Sequence, residues 1–198
     1  MIQLDKNAQN SILLYGGANR KLTEEYVDEV LEHFGAGDLL LLQNEVNLLP
    51  YIIDEAKKKE MLITLNPSPF DESLKAANLQ KVDIFLVNEV EGEQLTGQTV
   101  PKKMLSAMKE MFPRAAVVLT LGADGAYYQK ENASIYQPAI KVKAVDTTAA
   151  GDTFTGYFLA GIAAADSVEK ALLHSAAAAA VAVSRPGAVP SIPWRHEI

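Results

Sequence analysis

The sequence contains no cysteine and carries no surplus of basic residues. Without cysteine there is neither a disulfide framework nor a metal site built on thiolates. The 18 Lys and Arg residues are outnumbered by 25 Asp and Glu residues, and the formal charge is -7. Because no basic surplus is present to neutralise phosphates, we expect no nucleic acid and no membrane among the partners. Any phosphate that binds is expected to be held at a local site.

Long apolar runs are missing as well. No stretch approaches the length of a bilayer span, and the N-terminal MIQLDKNAQN lacks the basic region and apolar run of a secretory signal. We therefore expect a cytoplasmic protein. Hydrophobic residues still make up 48% of the 198 residues, which is enough for one well-packed core. The expected organisation is a single domain over residues 1–198.

Short apolar runs alternate with helical patterns along the first two thirds of the chain. This alternation is typical of βαβ units with a parallel sheet and predicts the α/β class. Beyond Gly122, turn signals at 123–125 and 131–132 separate short runs that are typical of antiparallel strands. The predicted strands are 11–15, 38–42, 61–66, 84–89 and 116–122, and the predicted helices are 23–34, 48–59, 152–164 and 167–184.

Polar residues or glycine close several of the predicted strands. In an open parallel sheet the carboxyl ends of the strands share one edge, and ligands bind at that edge. Taken singly, each of these residues is more simply explained as part of a loop or a helix cap. As a set, the candidates for a binding site are Asn66, Asn88, Glu91, Thr120 and Gly122.

The segment DTTAAGDTFTG, residues 146–156, runs from a loop of small residues into an apolar helix. Unpaired N–H groups at a helix start, next to the small residues Ala149, Ala150 and Gly151, predict a phosphate site. Asp152 would repel that phosphate, so it fits better as a general base that accepts a hydroxyl proton. Asp146 fits a cation ligand or a loop anchor. An ordinary helix-start carboxylate and a turn residue explain the same spacing equally well.

This segment closely resembles the C-terminal signature of the ribokinase (PfkB) family of carbohydrate kinases. The stretches LLLLQNE, LITLNPSP, VNEVEGEQLTG, VVLTLGADGAYY and AVSRPGAVPSIPW resemble family segments in the same order. The resemblance implies a three-layer α/β fold with a mostly parallel central sheet. It also implies transfer of the ATP γ-phosphoryl group to the primary hydroxyl of a small-molecule sugar, with D-ribose as the expected substrate.

The resemblance also assigns roles to individual residues. Asp152 would be the catalytic base and would touch the substrate, with an anion hole at Ala149, Ala150 and Gly151. Glu45 matches a position that contacts the sugar. The pair Asn88 and Glu91 would organise Mg²⁺ and the phosphates, and the nucleotide would lie near Thr120, Leu121, Gly122 and His174. The alanines that follow His174 allow close approach of either a flat ligand or a neighbouring helix, and helix packing is the simpler explanation.

A potassium site is a further implication of the resemblance. Oxygen ligands that are mostly neutral carbonyls suit a large monovalent ion. The implied ligands are Asp146, Thr148, Ala182, Arg185, Gly187 and Ser191.

The sequence departs from the family at its N-terminal side. Family members begin with a portion that grips the sugar and forms most of a small β lid, whereas Met1 here aligns with an internal strand that leads to GGAN at 16–19. The expected fold is therefore N-terminally truncated, and a homodimer formed through the lid would be weakened. Three interpretations stay open: a sugar kinase whose other half lies elsewhere, a nucleotide-binding module without turnover, and a structural or regulatory remnant.

Overall fold

The computed structural model describes residues 2–4, 10–12, 15–71, 74 and 76–198. A short antiparallel pair, β1 and β2, stands apart from a six-stranded sheet formed by β3 to β8. The strands are β1 (Ile2–Leu4), β2 (Asn10–Ile12), β3 (Leu39–Gln43), β4 (Leu62–Asn66), β5 (Ile84–Asn88), β6 (Ala116–Thr120), β7 (Ala126–Lys130) and β8 (Ala133–Gln137). The helices are α1 (Glu24–Leu31), α2 (Leu49–Lys58), α3 (Glu89–Thr96), α4 (Pro101–Met111), α5 (Ala150–Ala163) and α6 (Val168–Val183).

The six strands lie in sequence order across the sheet, from β3 at one edge to β8 at the other. The pairs from β3 to β6 are parallel, and β7 and β8 continue the sheet as antiparallel strands. Helices α1, α2 and α4 bury their apolar residues against one face, and α5 and α6 cover the other. The predicted three-layer α/β fold with a mostly parallel sheet is confirmed.

Both faces of the central strands are buried, which explains why these strands are unbroken apolar runs in the sequence. In β5, Phe85 and Val87 belong to the core beneath α1, α2 and α4, whereas Ile84 and Leu86 belong to the core beneath α5 and α6. Successive side chains of a strand point to opposite faces, so each face receives an apolar side chain from every second residue.

The ends of several elements differ from the sequence-based expectation. The strand predicted at 11–15 is replaced by β2, and Tyr15 lies outside any strand, while residues 13 and 14 are outside the described residues. The cap predicted at Thr23 is correct, because its hydroxyl accepts a 3.2 Å hydrogen bond from Tyr26 N. The helix ends at Leu31 and not beside Gly35, because His33 N and Phe34 N donate three residues back and the chain leaves the α-helical path.

Helices α3 and α4 were not predicted. The described part of the chain holds no helix that is long and apolar enough to cross a membrane.

Candidate active site

Polar side chains occupy the carboxyl ends of the four parallel strands. Gln43 pairs in register with Asn66, and Asn88 pairs in register with Thr120. The N-terminus of α5 faces the same edge of the sheet, since Ala150, Gly151 and Asp152 line a cleft together with the strand ends. The predicted grouping of Asn66, Asn88, Glu91 and Thr120 is therefore found in one place.

Two clefts open at this edge. Cleft A has a volume of about 210 Å³ and lies between the ends of the strands and the start of α5. Cleft B has a volume of about 380 Å³ and lies between the end of β3 and the side of α5. Cleft A is lined by Gln43, Asn66, Ser68, Leu86, Val87, Asn88, Glu91, Thr120, Thr147, Ala149, Ala150, Gly151, Asp152 and Thr155. Cleft B is lined by Asn19, Leu41, Leu42, Gln43, Glu45, Val46, Asn66, Asp152, Thr155 and Gly156.

The start of α5 is built to leave backbone donors free. Ala149 caps the helix with φ 60, in the left-handed region, and its carbonyl accepts a 2.8 Å bond from Thr153 N. In the described part of the chain, the N–H groups of Gly151 and Asp152 have no backbone acceptor. Apart from the adjacent residues and the backbone of the helix itself, no atom of the described residues lies within 4 Å of the place where a Cβ of Gly151 would stand, so a ligand can approach the backbone there. Free N–H groups and the positive end of the helix dipole make this position suitable for an anion.

Asp152 stands on the first turn of α5, is exposed, and lines both clefts. A carboxylate at this junction can reach a ligand in either cleft. Glu45 and Asn19 line cleft B only. The two residues that the sequence assigned to a sugar, Glu45 and Asp152, therefore share cleft B.

Asn88 and Glu91 form a reciprocal cap at the start of α3. Asn88 Oδ1 accepts a 2.9 Å bond from Glu91 N, and Glu91 Oε2 accepts a 3.0 Å bond from Asn88 N. Two side-chain amides also donate to the carboxylate, Asn88 Nδ2 at 3.1 Å and Asn66 Nδ2 at 3.3 Å. Glu91 is only 6% exposed, and this burial raises its pKa although the surrounding hydrogen bonds lower it. The carboxylate is thus fixed in position at the floor of cleft A.

This donor set fits Mg²⁺ only in the company of phosphates. Among the described residues, no group of three or more acidic or histidine side chains could hold a metal ion alone. Mg²⁺ commonly keeps several waters and binds through one or two carboxylates together with substrate phosphates. Glu91 and the amide oxygen of Asn88 match that pattern at the side of the anion position.

Asp146 connects the loop before α5 to the segment after α6. Its Oδ1 accepts a 2.9 Å bond from Thr148 N, and its Oδ2 accepts a 2.9 Å bond from Gly187 N. Hydrogen bonds from the Thr148 side chain, Thr148 N and Gly187 N lower the pKa of this carboxyl. The loop-anchor role is therefore observed directly.

The other residues assigned to a potassium site lie around this anchor or further along the chain. Arg185 N donates to the Ala182 carbonyl at 3.1 Å, at the end of α6. Ser191 is fully buried and its hydroxyl donates to the Ala188 carbonyl at 2.6 Å. Mostly neutral oxygens beside one carboxylate match the chemistry of a monovalent cation, and the cation itself stays a prediction.

Three residues assigned to the nucleotide lie outside the two clefts. Leu121 is buried and Gly122 opens a short 3₁₀ turn, so of this strand end only Thr120 lines cleft A. His174 lies on α6 near Asp166, whose pKa is lowered mainly by the hydrogen bond from Lys170, with a smaller contribution from His174. His174 lines neither cleft, and its assignment to the adenine end of the nucleotide stays a prediction.

Sequence analysis missed several residues that line the clefts, among them Gln43 and Thr155. Gln43 ends β3 and could have been found by the rule used for the other strand ends, had the predicted strand been one residue longer. Thr155 follows Asp152 by three residues and so lies on the same side of α5. Among the described residues, neither Lys nor Arg lines either cleft.

Comparisons with known proteins agree with this architecture. Residues 1–195 match the profile described as pfkB family carbohydrate kinase. Ribokinase of Haemophilus influenzae is 37% identical over 203 residues, which cover 99% of this chain and 66% of that protein. Deoxyribokinase of Salmonella typhimurium is 33% identical over 198 residues, which cover 97% of this chain and 65% of that protein.

A solved structure gives the same result. Arabidopsis thaliana ribokinase complexed with ribose and ATP superimposes with a TM-score of 0.82 at 30% identity, covering 99% of this chain and 66% of that one. This chain therefore belongs to the pfkB family of carbohydrate kinases. It spans slightly less than two thirds of the length of these relatives.

Proposed function

We propose that this chain carries the phosphoryl-transfer half of an ATP-dependent sugar kinase, with Asp152 as the general base. The observation that carries the proposal is the position of Asp152 at the junction of cleft A and cleft B, beside the free N–H groups of α5. Cleft A suits the phosphates and cleft B suits the acceptor. Membership of a carbohydrate kinase family supports a sugar as that acceptor.

The reaction assigned to this geometry is an in-line displacement. The acceptor hydroxyl in cleft B loses its proton to an oxygen of Asp152 and attacks the γ-phosphorus. The N–H groups of Gly151 and Asp152 donate to the phosphoryl oxygens as charge develops on them. Asn88 and Glu91 would hold Mg²⁺ beside the phosphates, where the ion would supply positive charge against the charge that develops. K⁺ near Asp146 would hold the loop that positions the start of α5.

The preferred acceptor is a pentose with a free primary hydroxyl, D-ribose first and deoxyribose second. Both preferences come from relatives: one similar protein is a deoxyribokinase, and a similar structure is a ribokinase complexed with ribose and ATP. Transfer to the primary hydroxyl would convert ribose to ribose 5-phosphate.

Nucleotide binding without turnover is the second candidate function. It is favoured by the absence of any Lys or Arg side chain among the described residues that line the clefts. Phosphoryl transfer ordinarily depends on several positive charges placed around the transferred group. A chain that holds the nucleotide through backbone donors alone would bind it without accelerating transfer.

One experiment separates the two candidates. ADP release by the 198-residue chain is measured with ATP, Mg²⁺, K⁺ and D-ribose, and the same measurement on Asp152→Asn provides the background. Release that depends on ribose and exceeds the background supports the kinase. If release equals the background and calorimetry still detects ADP binding, the result supports a nucleotide-binding module without turnover.

A further inference from the structure

Four residues line both clefts and therefore lie at their junction: Gln43, Asn66, Asp152 and Thr155. A phosphoryl group that moves from a donor in cleft A to an acceptor in cleft B must pass these residues. These four side chains therefore border the path of the group in transfer. Asp152 is already assigned to the acceptor proton, which leaves three neutral side chains.

Asn66 has no side-chain donor left for a ligand. Its Nδ2 donates to the Leu86 carbonyl at 3.0 Å and to Glu91 Oε2 at 3.3 Å, and its Oδ1 accepts a 3.1 Å bond from Ser68 N. Both amide hydrogens are used within the protein. Asn66 supports Glu91 and does not take part in the transfer.

Gln43 and Thr155 differ from Asn66 in this respect. In the part of the chain that is described, neither the Gln43 amide group nor the Thr155 hydroxyl has a hydrogen-bond partner. Gln43 is exposed at the end of the edge strand β3, and Thr155 is half-buried on α5. They approach the junction from opposite sides, from the sheet and from the helix. The β-branch of Thr155 restricts its χ1 angle within the helix, which limits the positions open to the hydroxyl.

The charge around the junction creates a need for such donors. Cleft A contains Glu91 and Asp152, cleft B contains Glu45 and Asp152, and no cationic side chain among the described residues lines either cleft. In the transition state, negative charge spreads over the equatorial oxygens of the transferred group. Neutral N–H and O–H donors aimed at those oxygens stabilise that charge and leave the carboxylate of Asp152 free to accept the proton.

We propose that Gln43 and Thr155 donate hydrogen bonds to the phosphoryl group in transfer and are catalytic residues of the proposed kinase reaction. The new bond forms between the acceptor oxygen and phosphorus, and the acceptor proton moves to Asp152. The bond from phosphorus to the bridging oxygen breaks, and its electron pair leaves on ADP. Gln43 and Thr155 exchange no proton in this step. The inference rests on the proposed function, because it places donor and acceptor in these two clefts.

The test uses ADP, Mg²⁺ and aluminium fluoride, which together mimic a phosphoryl group in transfer and need no turnover. The affinity for ADP is measured by calorimetry with and without fluoroaluminate, for the 198-residue chain and for Gln43→Leu and Thr155→Val. We expect ADP alone to bind each protein within about 3-fold. Fluoroaluminate should raise the affinity for ADP, and this increase should be smaller by about 10-fold or more in both variants, because each loses a hydrogen bond to a charged group. Thr155→Ser should retain it.

Thr153→Val and Gln129→Leu are the matched controls. Thr153 lies two residues before Thr155 on the same helix, and its buried hydroxyl has no hydrogen-bond partner among the described residues. Gln129 pairs with Val117 away from the strand ends. Both should keep the gain of the unmodified chain. If Gln43→Leu and Thr155→Val keep the gain too, or if the unmodified chain shows none, the assignment is overturned. Ribose-dependent ADP release reports separately on the proposed function, so the two failures are distinguishable.

Discussion

Asn66 Nδ2 donates a 3.3 Å hydrogen bond to Glu91 Oε2, joining residues that are 25 positions apart in the sequence. The bond ties the end of β4 to the first turn of α3 and fixes the carboxylate at the floor of cleft A. Because Glu91 is buried, each donor that reaches its carboxylate offsets part of the cost of keeping a charge away from water.

Replacing Asn66 should therefore weaken the fold at the site. Asn66→Ala leaves Glu91 Oε2 and the Leu86 carbonyl each short of a donor, and we expect the free energy of unfolding to fall by about 1–3 kcal/mol. Urea unfolding measures it. Asn132→Ala, in the exposed turn between β7 and β8, is the control and should change stability by about 0.5 kcal/mol or less. An Asn66→Ala variant as stable as this control would contradict the role assigned to the amide.

The lowered pKa of Asp146 predicts that the stability of the fold decreases at acidic pH. Its pKa is lowered in the folded state by hydrogen bonds from Thr148 and Gly187, so the folded protein holds the deprotonated carboxylate more strongly than the unfolded chain does. The contribution is present above the ordinary value of 3.8 and is lost as the pH falls through the lower folded pKa. Asp146→Asn should lower the free energy of unfolding at pH 7. On acidification, this variant should lose less stability than the unmodified chain does. If stability falls with pH in the same way for both proteins, the charge of Asp146 does not contribute to stability through these bonds.

The potassium site can be tested without turnover. An ion that binds the folded state alone raises the melting temperature, by about 2–4 °C for each kcal/mol in a chain of this size. We expect a higher melting temperature in KCl than in LiCl at equal ionic strength, and no difference for Asp146→Asn. Equal melting temperatures of the unmodified chain in the two salts would contradict the predicted potassium site.

Ala149 holds a backbone conformation that favours glycine, with φ 60 at the cap of α5. Ala149→Gly should relieve the strain and stabilise the fold by about 1 kcal/mol. Ala160→Gly, on an exposed position inside the same helix, should instead cost about 1 kcal/mol. Thermal unfolding of both variants checks the opposite signs, and the same sign for both would show that the cap is unstrained.

The predictable parts of the fold are those encoded by local pattern. Strands β3 to β6 are apolar runs with polar ends and were found by that pattern, which burial on both faces explains for β4 to β6. Strand β3 is equally apolar although it lies at the edge of the sheet and Leu41 is exposed. The cap at Thr23 and the glycine-containing start of α5 follow from the local rules of helix termini. Helix α3 was missed because EVEGEQLT has few apolar residues to form a stripe. Helix α4 was missed although Pro101 at its start and its spaced methionines are ordinary helix signals.

The sequence by itself determined the class of fold, the acidic helix start at Asp152 and the order of the polar strand ends. Only the tertiary structure decided which distant residues come together: Asn66 bonds to Glu91, Asp146 bonds to Gly187 across 41 positions, and Gln43 and Thr155 line the same two clefts. Local pattern sets the conformation of a segment over a few residues. The meeting of distant side chains depends on the register between strands and on the layer in which each helix packs, and both are fixed only when the whole core forms.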